Sequence, residues 1–137
     1  MIALLLALQV AAAANGVTVG AIPKQQLPAT GCAAFLWSSG EKRILVAMAV
    51  ADPAAVRLSI DGVVTDYPRT AQSGVGGYGF AGVTTYGLGD VTATLDMAVA
   101  ARADLTQGAT VPDATLRIDR PGHDTIIMPV AGLIGCT

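Results

Sequence analysis

The sequence predicts an all-β fold: an antiparallel β-sandwich of about seven or eight strands, with a small β-barrel as the alternative, closed by one disulfide. Three observations lead there. Short segments with apolar residues at alternate positions recur at near-regular spacing, separated by Gly, Pro and Asp turn signals. Beyond the first residues, no segment carries a convincing helical period. The two cysteines, Cys32 and Cys136, flank nearly all of these segments.

Composition sets the bounds. A chain of 137 residues suits one domain. Hydrophobic residues reach 53% and charged residues only 13%, so a packed core is expected and a disordered chain is excluded. The net charge is -2, and the basic residues are scattered, with Lys42-Arg43 the only adjacent pair. A nucleic-acid binder usually carries a basic stripe, so no nucleic-acid partner is expected.

Residues 1–14, MIALLLALQVAAAA, are apolar and uncharged and end in small residues before Asn15. This pattern reads as a secretory signal peptide cleaved after Ala14, although its first residues lack the usual Lys or Arg. The run is shorter than the ~20 residues a spanning helix needs. No stable membrane span is therefore expected after cleavage, and the expected location is periplasmic or extracellular. Oxidising compartments favour disulfides, and two cysteines allow one pairing, Cys32 with Cys136. Residues 15–30 contain two prolines and two glycines and read as an extended N-terminal arm or linker. Residues 31–137 form a single β domain in this reading.

Within that domain, Ala33–Trp37 and Arg43–Val50 read as a hairpin around Ser38-Ser39-Gly40-Glu41-Lys42. The second strand is apolar on both faces, which calls for cover on both sides. Val56–Ile60 alternates cleanly, and Asp61-Gly62 is the strongest hairpin signal in the chain. A two-residue loop there places Ile60 opposite Val63, Leu58 opposite Thr65 and Val56 opposite Tyr67. On the other face it sets Arg57 across from Asp66 as an exposed ion pair.

Gly74–Gly89 is the compositional outlier, with seven glycines in sixteen residues. Tyr78, Phe80, Thr84 and Tyr86 share one parity. Two readings follow: a bent core strand flanked by mobile loops, or a flexible aromatic binding loop that uses Tyr78, Phe80 and Tyr86. Val91–Ala101 alternates again. Asp104–Asp113 reads as a polar loop, and Leu116 and Ile118 belong to the next strand. Arg120-Pro121-Gly122-His123 suits a type II turn. Thr125–Ile134 is the last strand, with Pro129 favouring an edge position or a bulge.

No residue is assigned a catalytic role. His123, the only histidine, stands in a turn beside Asp124. A hydrolase using His123 with Asp124 or Asp119 is the least favoured reading, because no nucleophile motif accompanies it. Asp119 and Asp124 face each other if the turn is tight, so either Arg117, Arg120 or a cation compensates, or the loop is wider than a tight turn. The ligand sets of zinc and calcium sites are missing, as are phosphate-binding loops, so neither metal nor cofactor is expected. The favoured function is a non-enzymatic binding or interaction module for a protein or small-molecule ligand. The alternative is a structural or assembly subunit of an envelope or surface structure, whose residues 15–30 add as a strand to a neighbour.

Overall fold

The computed structural model describes residues 15–137; the expected signal peptide lies outside the described residues. Alternation is converted into nine antiparallel strands: β1 (Val19–Gly20), β2 (Cys32–Ser38), β3 (Leu45–Val50), β4 (Ala55–Ile60), β5 (Val63–Ser73), β6 (Val83–Leu88), β7 (Val91–Ala100), β8 (Gly108–Asp119) and β9 (Ile126–Cys136). Each strand from β2 to β9 pairs with the next, and β9 returns to pair with β2. The result is a closed, eight-stranded up-and-down barrel, with β1 as an extra strand on β4. Of the two architectures that the alternation allows, the barrel forms and the sandwich does not. Closure leaves none of the eight wall strands with a free edge.

The period of two decides which residues fill the interior. Leu36, Val56, Leu58, Leu95, Leu116 and Ile118 point inward and are fully buried. Eight strands enclose a space just wide enough for side chains to fill, and the small residues Ala34, Ala47, Ala49 and Ala93 let the larger ones interdigitate. The Asp61-Gly62 turn sets the register the sequence requires: Ile60 faces Val63, Leu58 faces Thr65 and Val56 faces Tyr67. Both turn residues adopt positive φ, 51° and 84°, as a type I′ turn demands. Arg57 meets Asp66 through two hydrogen bonds of 2.7 and 3.0 Å.

The seam between β2 and β9 is the point of closure. Cys32 stands directly opposite Cys136, and their sulfurs are bonded at 2.05 Å. Further along, Gly132 faces Leu36. A Cβ at Gly132 would run into the Phe35 carbonyl, so the two backbones approach this closely only because the residue is glycine.

Residues 15–31 lie along the barrel. Val17 is buried against the core at the end formed by the β4–β5 and β8–β9 turns. There the Thr18 amide donates to Asp61 Oδ1 at 2.8 Å, and the Asp124 amide donates to the Asn15 carbonyl at 3.2 Å. β1 pairs with Ser59 and Ile60 of β4, beyond the last residue that β3 reaches. Ile22 then sits in a second apolar cluster with Ala33 and Met48, flanked by Phe35, Leu45 and Val50. This explains the two-faced apolarity of β3. Its inner face looks into the barrel, and its outer face is covered by the arm.

Two local expectations change. The polar loop expected over 104–113 ends at Gln107, and β8 begins at Gly108. Ala109 and Val111 face inward, and an irregularity between Val111 and Ala114 restores the alternation that Pro112-Asp113 interrupts. Pro129 lies in neither an edge strand nor the bulge. Its carbonyl accepts from the Ser39 amide just beyond the end of β2. A strand residue directs its N and O to the same neighbour, so the missing N–H costs no bond to β8.

Candidate functional site

The aromatic stretch divides between core and surface. Gly77 and Phe80 pair across a two-residue turn in which Tyr78 and Gly79 take φ of 57° and 87°. That reversal sends Phe80 back into the core, where it is buried at the barrel end opposite Val17. Tyr86, on β6, is 1% exposed and faces the interior with Thr84. Burial pushes its phenol above the ordinary tyrosine range, while a hydrogen bond with Thr84 and the charge of Arg69 act the other way. Tyr78 alone of the three reaches solvent. Tyr78, Phe80 and Tyr86 therefore do not form a common surface.

The β8–β9 turn holds the other candidates. The His123 amide donates to the Arg120 carbonyl at 3.0 Å, closing the turn. The His123 ring is exposed, with Nδ1 3.2 Å from the Pro121 carbonyl. Asp119 is satisfied by Arg117 at 2.9 Å and by the Thr125 hydroxyl at 2.7 Å. Arg117 first, then Thr125, hold its carboxyl below the usual range. Arg120 reaches sideways to Asp90 at 3.1 Å and Asp61 at 3.4 Å. It thereby ties three neighbouring turns together. Asp61, Asp90, Arg117, Asp119 and Arg120 each have a protein partner, whereas Asp124 is held through its backbone amide. Among the described residues, no three His, Cys, Asp or Glu side chains converge as a metal site.

An open cleft of about 590 Å³ lies on the outer wall, a volume in the usual range of small-molecule sites. It forms where β2, β9 and the irregular part of β8 meet. Trp37, the outward residue after Leu36, stands opposite Ala131 of β9. Leu133 lies two residues along on the same face and is half exposed. Pro112 contributes from β8, and Gly132 adds to the lining between Ala131 and Leu133. Arg43 closes one side from the β2–β3 loop.

Ser38 fixes that loop. Its hydroxyl donates to the Lys42 carbonyl at 3.1 Å and accepts from the Ile44 amide at 3.2 Å. Its amide donates to the Ile44 carbonyl at 2.9 Å. Arg43, held between these anchors, is exposed and makes no ion pair among the described residues. Arg57, Arg102, Arg117 and Arg120 are each paired with an aspartate.

Sequence reasoning did not single out Trp37 or Arg43 as site residues. Two signals pointed to them: the chain's one tryptophan and its one adjacent basic pair lie six residues apart around a predicted turn. What could not be read was the approach of β9, which supplies Ala131 and Leu133 from the far end of the chain. Comparison with known family models, curated proteins and solved structures finds no match for this chain.

Proposed function

We propose that this chain is an exported, non-enzymatic binding module that takes its ligand on the outer wall of the barrel, at Trp37. The carrying observation is the contrast between the two surfaces. The interior is filled by its own side chains, whereas the outer wall offers a cleft with a half-buried indole, an exposed leucine and an unpaired guanidinium. Binding sites commonly combine an apolar surface with a few orienting polar groups.

Polarity supports an aqueous setting for the barrel. Arg57, Asp66, Asp96 and Arg117 decorate the outside, while the inside is apolar. A transmembrane barrel has the reverse arrangement. The Cys32–Cys136 bond suits an oxidising compartment, which is what export through residues 1–14 would provide. His123 has no hydrogen bond to a hydroxyl or carboxylate among the described residues, which weighs against a hydrolase. The arm expected to serve a neighbour is engaged on its own β4, which weighs against assembly by strand exchange.

Because Trp37 is the only tryptophan, its emission reports the cleft without labelling. Titration with a panel of oligosaccharides and short peptides should give at least one saturable change in that emission, lost in Trp37→Ala while the circular dichroism of the barrel is retained. A ligand that binds the wild type and Trp37→Ala equally, with amide shifts away from β2 and β9, would place the working surface elsewhere.

A further inference from the structure

Resting on the Trp37 reading, we infer that the cleft is built for an acidic sugar, a uronic-acid unit of a glycan, with the pyranose ring on the indole and its carboxylate at Arg43. Three observations select this chemistry. The first is the unpaired charge. Arg43 and its neighbour Lys42 are exposed cations with no ion pair among the described residues, on a chain whose net charge is -2. Glu41 and Asp113 are close in sequence to the lining residues, but neither lines the cleft. A guanidinium presents a planar fork that matches a carboxylate through two parallel hydrogen bonds.

The second is the apolar lining supplied by Trp37, Pro112 and Leu133. The indole face carries partial negative charge, and the C–H bonds on one face of a pyranose present weakly positive hydrogens to it. Leu133 and Pro112 extend that surface beside the ring. A rigid ring loses little conformational freedom on landing there, unlike a flexible acidic chain.

The third is what the wall withholds. A peptide usually gains affinity by adding a strand to a sheet edge. β2 and β9 pair with each other and with β3 and β8, so no edge is open at the cleft. An extended peptide would rest there without main-chain hydrogen bonds. A sugar needs none.

The test uses the full mature chain and a trimer of galacturonic acid, with its carboxyl-reduced galactose counterpart and an oligo-aspartate peptide as comparisons. The acidic trimer should change Trp37 emission saturably. Its affinity should exceed that of the neutral trimer by about tenfold or more, the worth of a charged hydrogen-bonded contact, and should fall with added salt. Arg43→Gln, an exposed change that leaves the barrel intact, should remove the advantage, bringing the affinity for the acidic trimer down to that for the neutral one. Equal binding of both trimers at Trp37, or indifference to Arg43→Gln, would overturn the acidic-sugar assignment and leave the cleft reading standing. Tighter binding of oligo-aspartate than of the acidic trimer would overturn the sugar class. Binding of the trimer with shifts remote from Trp37 would overturn both.

Discussion

Cys32 of β2 stands directly opposite Cys136 of β9, bonded, with Cα atoms 4.0 Å apart, at the seam where the first wall strand meets the last. The bond spans 104 positions of sequence. In the chain-entropy description, a loop that long restricts the unfolded chain by about 4–5 kcal/mol. Replacing both cysteines by alanine should therefore lower the denaturation free energy by up to about 4 kcal/mol, read from urea unfolding with and without reductant. An unchanged midpoint would mean that the seam is held without the bond.

Gly132 should tolerate no side chain. Gly132→Ala places a methyl group against the Phe35 carbonyl, and strands on both sides limit the backbone's retreat. A loss of about 3 kcal/mol is expected, visible as a lower urea midpoint. Wild-type stability would contradict the close approach of β2 and β9 at Gly132.

Tyr86 and Tyr78 should separate cleanly. Tyr86→Ala empties a fully buried position and should cost about 3–5 kcal/mol. Tyr86→Phe keeps the volume and should cost less than about 1.5 kcal/mol. Tyr78→Ala, at an exposed turn, should stay within about 1 kcal/mol. Thermal unfolding of the three variants checks the order, and a stable Tyr86→Ala would contradict the placement of β6.

Asp66 gives the barrel a titratable contact. The hydrogen bond from Arg57 holds its carboxyl below the usual aspartate range, against a smaller effect of burial. A depressed folded value means the contribution is complete above the unfolded pKa, near 4, and is lost as pH falls through the folded value. Asp66→Asn should thus be less stable than the wild type at pH 7, by under ~1 kcal/mol for a pair this exposed. The difference should vanish at the acid end of a pH series of urea midpoints. A difference that persists there would assign the effect to packing.

Much of this fold was legible because local chemistry dictates it. Asp61-Gly62 sets a turn type, the turn type sets a register, and the register places Arg57 on Asp66. Barrel and sandwich share the same alternation and the Asp61-Gly62 hairpin, so the choice depends on whether every wall strand pairs with the next and β9 returns to β2. Cys32 facing Cys136 belongs to that last pairing. Tyr86 carried both a core and a surface reading, because parity says that Tyr78, Phe80 and Tyr86 share a face but not which face is inside. The tight turn at Tyr78-Gly79 then removes Tyr78 from that face. The outer cleft was the least legible part, since Trp37 and Leu133 meet only through closure of the barrel.

Intact mass of the protein recovered from the extracytoplasmic fraction, with and without reductant, tests export and closure together. The expected species begins at Asn15 and gains the mass of two hydrogens on reduction. A chain that retains residues 1–14, or one that carries two free thiols before reductant is added, would contradict an exported barrel locked at Cys32 and Cys136.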